Sequence, residues 1–167
     1  MLSDSLQEAL NEQINNELHA AYLYLAMAEH FAAANLDGFA HWMRKQREEE
    51  IGHAMKIFDF VLDRDGRVDL KTIEAPEGEF DSPLEVAKAA LEHERKVTGR
   101  INDIYEKAKA EKDYPTEALM QWFVLEQVEE EATALQIVER LEMAGDDNAA
   151  LLMLDREMGR RSHAMHD

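Results

Sequence analysis

Apolar side chains recur along most of this chain at alternating steps of three and four residues, the spacing of a helical seam. One stretch places Leu6, Leu10, Ala21, Tyr24, Ala28 and Phe31 on that stripe, and a second places Phe39, Met43, Ile57 and Phe60. A third carries Leu84, Ala87, Leu91, Ile101, Tyr105 and Ala108, and a fourth Met120, Phe123, Ala134, Ile137 and Leu141. The first helix is expected from about Asp4, where "DSLQ" and "SLQE" both have capping-box spacing, to about Ala34. A second follows the break at 35–38 and runs to about Arg64, where "RDGR" signals a turn. "SPLE" at 82–85 supplies a cap residue, a proline at the first helical position and a glutamate at the third, so it starts a third helix reaching Glu111. The fourth is expected over about 116–143 with Gly145 as its stop, and a short fifth over about 148–160.

Residues 66–81, "GRVDLKTIEAPEGEFD", have no helical period. A loop this long inside a compact domain needs a reason. A crossover supplies one: it carries the chain from one end of a bundle to the other, so the second and third helices run parallel. The expected fold is all-α, one domain over 1–167, with a four-helix bundle at about 4–143. The fifth helix, "NAALLMLDREMGR", is too apolar to stand exposed and too short to be stable alone. Its apolar face is expected to meet other subunits.

Composition narrows the function. Only 7 Gly and 3 Pro stand among 167 residues, as suits helix. The absence of Cys excludes disulfides and thiolate metal sites. A net charge of −18 argues against a nucleic-acid partner and is compatible with handling cations. No apolar run reaches membrane-spanning length and no signal pattern opens the chain, so no membrane is expected and the simplest location is the cytoplasm.

The seams are apolar at their ends and ionisable near their centres. Glu17, Glu50, His53, Glu94, Gln127 and Glu130 all fall within about one turn of the helix midpoints. In an antiparallel bundle midpoints share a level, so the pattern predicts one polar layer inside the core. Four buried carboxylates would repel one another and hold protons when no cation is present. Two divalent cations would neutralise them, with His53 and Gln127 as neutral ligands or as their supports. Taken singly, a Glu-x-x-His is an ordinary solvated helix face and a seam glutamate a register device. Coincidence on four helices at one level points to metal. Di-metal carboxylate bundles commonly carry two Glu-x-x-His pairs; here the second pair is Gln127-x-x-Glu130.

With these residues in view, the chain resembles the bacterial non-haem ferritins along its whole length. The likeness rests on "NEQINNELHAAYLYLAMA", "REEEIGHAMKIFDF" and "WFVLEQVEEEA", with the crossover and short fifth helix in the same order. The resemblance implies iron storage and detoxification, with a ferroxidase centre that oxidises Fe2+ to Fe3+ using O2 or peroxide. One iron would use Glu17, Glu50 and His53. The other would use Glu50, Glu94 and Glu130, with Gln127 nearby. Glu49, Glu126 and Glu129 match a third iron site, although "EEE" runs are also ordinary solvated faces. Tyr24 would be a redox-active neighbour, and Trp122 could act likewise. Bacterioferritins have a haem-ligating Met where this chain has Gly52, so no haem is expected. Glu117 matches an acidic pore position; the next such position is Met120, which leaves that pore chemistry open. His163 and His166 read as parts of a tail. The resemblance also implies a homo-oligomeric cage of 24 subunits, with the fifth helix at its four-fold axes.

Two other functions share parts of this pattern. A rubrerythrin-like peroxidase would ordinarily add a four-Cys iron domain, and a di-iron oxygenase would need chain length for a substrate pocket. A non-catalytic helical assembly protein could carry the polar layer but would take up no stoichiometric metal.

Overall fold

The computed structural model describes residues 2–160. Five helices make up its regular structure: α1 Asp4–Ala33, α2 Asp37–Asp63, α3 Pro83–Glu111, α4 Tyr114–Ala144 and α5 Asn148–Met158. Local chemistry accounts for their ends. Ser3, which precedes both expected capping boxes, caps α1 by accepting from the Leu6 N–H. Ser82 accepts from the Glu85 N–H, with Pro83 in the first turn. The fourth helix begins two residues earlier than Thr116. Asp113 caps it by accepting from the Thr116 N–H, and Pro115 fits inside the first turn because N–H groups there have no helical partner. Gly145, at φ 52°, takes the backbone out of α4.

Two apolar clusters reveal the helix directions. One gathers Leu6 and Leu10 of α1, Ile57 and Val61 of α2, Ile101 and Ala108 of α3, and Met120 and Phe123 of α4. The other gathers Met27 and Phe31, Phe39 and Met43, Val86 and Leu91, and Ile137 and Leu141 from the opposite ends. Thus α1 is antiparallel to α2 and α3 to α4, while α2 and α3 run parallel, as the crossover requires. Glu17, Glu50, Glu94, Gln127 and Glu130 belong to neither cluster and lie buried between them.

The crossover is ordered by α1. Gln7 accepts from the Arg67 N–H at 2.7 Å, Asn11 from the Asp69 N–H at 2.8 Å and Asn15 from the Lys71 N–H at 2.8 Å. Asn11 and Asn15 also donate to the Arg67 and Asp69 carbonyls. Four residues of helix advance about 6 Å and two of extended chain about 6.6 Å, so the two periodicities match over this ladder. Gly66 opens it: a Cβ there would stand 2.8 Å from the Val61 carbonyl oxygen and 3.0 Å from the Gln7 amide oxygen.

Helix α5 is tied to its own bundle, which modifies the expectation that its apolar face serves other subunits. Leu151, Leu154 and Met158 pack on the apolar cluster at that end. Leu36, the N-cap of α2, offers no side-chain cap. Asp155 of α5 supplies the missing acceptor, taking the Phe39 N–H at 2.9 Å. The approach is so close that a Cβ on Gly38 would lie 1.6 Å from the Asp155 carbonyl oxygen. Leu152 and Met153, by contrast, remain exposed.

Candidate metal centre

Each helix of the bundle delivers its ionisable residue to the middle layer because the seam that buries its leucines and phenylalanines continues through that residue. Glu17 is 1% exposed, Glu50 2% and Glu94 2%; His53, Gln127 and Glu130 are also buried. Ligand atoms of Glu17, Glu50 and His53 lie within 4.8 Å of one another, and so do those of His53, Glu126 and Glu130. The His53 Nδ1 is 3.3 Å from Glu50 Oε2, as three-residue spacing on one helix allows.

Amides orient the carboxylates. Gln13 Nε2 donates to Glu17 Oε1 at 2.7 Å. Gln46 Nε2 donates to Glu50 Oε1 at 3.1 Å and to Glu130 Oε2 at 2.7 Å, so one side chain bridges α2 and α4. Gln127 Nε2 donates to Glu94 Oε2 at 3.2 Å, and the Tyr24 hydroxyl donates to Glu94 Oε1. Glu94 therefore has both oxygens hydrogen-bonded, and it lies outside the two converging groups. Thr98 and Glu131 extend this network: Gln127 donates to the Thr98 hydroxyl at 3.3 Å, and that hydroxyl donates to Glu131 at 2.5 Å. The edge of the His53 ring is set by Trp122 and Phe123, with centroids 5.7 Å away in both cases.

One polar atom has no such support. Glu17 Oε2 is fully buried and has no donor group; it can bond to the Glu50 carboxylate only where the two share a proton. A buried carboxylate oxygen in that condition is costly unless a proton or a cation satisfies it. The electrostatics agree. Burial, then the Glu50 charge, raises Glu17 well above the carboxylate range. Burial and the charge of Glu94 push Glu50 up to about 8. Burial with Glu50 and Glu94 raises Glu130, and burial raises Glu94 despite the bonds from Tyr24 and Gln127. Without a cation, the set holds protons; a divalent cation would displace them.

The other residues singled out from the sequence are placed less uniformly. Glu126 is buried beside His53 and Glu130, whereas Glu49 is half-buried and Glu129 exposed outside both groups. Burial, then the Glu94 charge, raises the Tyr24 phenol. Trp122 carries the Lys56 ammonium 4.1 Å from its ring centroid. Glu117 accepts from the Tyr105 hydroxyl at 3.3 Å. Met120 is fully buried in the core, not at a channel wall. Gly52 is exposed on α2, with nothing within 4 Å of where a Cβ would stand. His163 and His166 lie outside the described residues. Gln13 and Gln46 continue the seam steps of the first two helices, but nothing in the sequence assigns them a task. Their one legible signal is position, each four residues before a site glutamate and so on the same face.

A four-helix bundle with one crossover and a buried layer of carboxylates around a histidine defines the class: helical proteins that hold metal between their helices. Comparison with known proteins gives the family. A family model described as "Ferritin-like domain" matches residues 7–144. A bacterial non-heme ferritin of Bacteroides fragilis is 42% identical over 161 residues, covering 96% of this chain and 100% of that protein. One of Staphylococcus epidermidis is 43% identical over 162 residues, covering 97% and 98%. Among solved structures, an open pore ferritin from the hyperthermophilic archaeon Archaeoglobus fulgidus superposes with a TM-score of 0.96 at 52% identity, covering 97% of this chain and 100% of that one. A closed form of that ferritin, engineered by site-directed mutagenesis, matches with the same TM-score and identity. The chain belongs to the ferritin family, and iron storage is the function that membership supports.

Proposed function

We propose that this chain is a ferroxidase subunit that oxidises Fe2+ inside its bundle and passes Fe3+ to a mineral store. The observation that carries the reading is the pair of buried, converging ligand groups sharing His53, in one of which Glu17 Oε2 has no hydrogen-bond donor. Hard oxygen donors with one imidazole suit Fe2+, and Zn2+ would compete for the same atoms. Glu17, Glu50 and His53 would take one ion. Glu130 would take the second, with Glu50 turning from Gln46 to bridge and Glu94 released from Tyr24 or Gln127. Glu126 and Glu49 would form a third, outer position. Glu129 would join it only by a change of rotamer from its exposed position.

The residues act by placing charge and protons. The carboxylates shed protons as Fe2+ binds; before it binds, the amides of Gln13, Gln46 and Gln127 hold the ligand oxygens in place. Each Fe2+ then gives one electron to O2 or peroxide. Tyr24, on Glu94, stands where it could supply a further electron and proton.

Assembly completes the proposal. Tyr22, Leu25, Ile51, Met55 and Ile73 form an exposed apolar face beside α1 and α2, and Leu152 and Met153 another on α5. Faces of this kind mark contact surfaces. We assign them to contacts between copies in a hollow cage of 24 subunits, with the whole chain acting as one domain. The test is anaerobic Fe2+ titration followed by mixing with O2, with sedimentation of the same sample. Stoichiometric uptake, a fast ferric absorbance and a large assembly are expected; an absence of tight Fe2+ binding would remove the proposal.

A further inference from the structure

A cleft of about 220 Å³ opens between α1 and α3, and no residue of the two converging ligand groups lines it. Glu12, Asn16, Arg100, Asp103 and Lys107 line it, and its deepest polar group is Gln13. Gln13 is only 1% exposed, and its Nε2 holds Glu17 Oε1 at 2.7 Å. One amide side chain thus belongs both to the cleft wall and to the candidate metal centre.

The cleft's charge indicates what passes. Glu12 and Asp103 are offset by Arg100 and Lys107, in a chain whose net charge is −18. An entry that concentrated Fe2+ would be expected to carry the excess negative charge found elsewhere on the chain. These walls supply no such pull, and two cations stand against it. They do offer hydrogen bonds, from two amides and four charged groups. Dioxygen gains nothing from such walls, whereas hydrogen peroxide bonds to them as water does.

We infer that the α1/α3 cleft is the route by which hydrogen peroxide reaches the iron-loaded centre, with Gln13 as its gate. The inference rests on the ferroxidase reading above. A cation that draws Glu17's oxygens toward itself competes with the Gln13 amide for them. Loading therefore loosens the gate, and the oxidant enters after the metal. At the centre two Fe2+ give one electron each to one H2O2, which takes up two protons, breaks its O–O bond and leaves as two waters. The products are two Fe3+.

The experiment uses the full-length assembled protein, loaded anaerobically with Fe2+ and mixed in a stopped-flow instrument with either H2O2 or O2. Asn16→Phe and Ala9→Leu fill the cleft mouth without touching a ligand. In both, the H2O2 rate should fall about tenfold or more, equivalent to ~1.4 kcal/mol of added barrier, while Fe2+ binding and the O2 rate hold. Gln13→Ala, which removes the gate, should raise the ratio of the H2O2 rate to the O2 rate. An unchanged H2O2 rate in both filled variants overturns the inference, as does equal slowing with both oxidants or an unraised ratio in Gln13→Ala. Failure of the wild-type protein to bind Fe2+ anaerobically would instead overturn the ferroxidase reading, and this inference with it.

Discussion

Glu50 is the ligand proposed to bridge the two ions. It faces His53 on its own helix, is held by Gln46 and feels the charge of Glu94 across the bundle. Loss of a group that merely orients a ligand typically costs 10–100-fold in metal affinity or activity. Glu50→Ala should therefore slow Fe2+ oxidation by about 100-fold or more, the upper end of that range and beyond. Stopped-flow absorbance reads the loss, and wild-type rates would sink the proposed bridging role. The same layer sets a pH dependence. Glu50 rises from an ordinary carboxylate value of 4.5 to about 8 on folding, and Glu17, Glu94 and Glu130 are shifted the same way. Between those limits the folded chain binds more protons than the unfolded one, so stability falls as pH rises. Each such group contributes about 1.4 kcal/mol per pH unit within its own window. Metal-free protein should thus be most resistant to urea near pH 5 and lose resistance steadily toward pH 8. Saturating Zn2+ should flatten the slope, because the cation replaces the protons. A metal-free slope of the opposite sign would show that the carboxylates are not buried as described.

At the scale of elements, α5 and α2 depend on each other through two residues. Asp155 is the side-chain cap that Leu36 cannot provide, and Gly38 leaves the space that lets α5 come close enough to do so. Gly38→Ala is favourable by helix propensity alone. Here it places a Cβ 1.6 Å from the Asp155 carbonyl oxygen, so α5 must move away and α2 loses its cap. Loss of a cap costs roughly 0.5–2 kcal/mol. The expected outcome is a normal bundle whose α5 amides exchange with solvent much faster than in the wild type. Hydrogen exchange followed by mass spectrometry checks it; α5 protection equal to the wild type would show that the contact does not hold the helix.

For the whole molecule, the unpartnered apolar faces decide the behaviour. The patch of Tyr22, Leu25, Ile51 and Ile73 spans two helices and the crossover, and Leu18 and Ala21 line the same 310 Å³ hollow. Arg47 also lines that hollow and can pair with one added carboxylate, but a second has no cation in it and must be desolvated. The double variant Leu25→Glu, Ile51→Glu should give small species by analytical ultracentrifugation, with anaerobic Fe2+ binding retained because neither residue reaches the carboxylate layer. A full-size assembly from that variant would show that this face is not a subunit contact.

Much of this molecule was legible from periodicity alone. A seam step of three and four residues names the core of each helix, and an ionisable residue on that stripe must be buried with it. Glu17, Glu50, Glu94 and Glu130 were found in this way, because burial follows from local geometry. Caps and stops at Ser82 and Gly145 were equally local. What the periodicity could not specify is which side chains meet across helices. Gln46 is 84 residues from Glu130, and nothing in either neighbourhood announces their bond. Glu94 could be placed in the layer, but only its contacts with Tyr24 and Gln127 show that both its oxygens are engaged. The ladder of Gln7, Asn11 and Asn15 that orders the crossover was invisible because half of it is backbone. The fate of α5 was invisible for a related reason: hydrophobicity states that a face must be covered, while only the tertiary structure selects Leu151, Leu154 and Met158 for this chain's own core and leaves Leu152 and Met153 exposed.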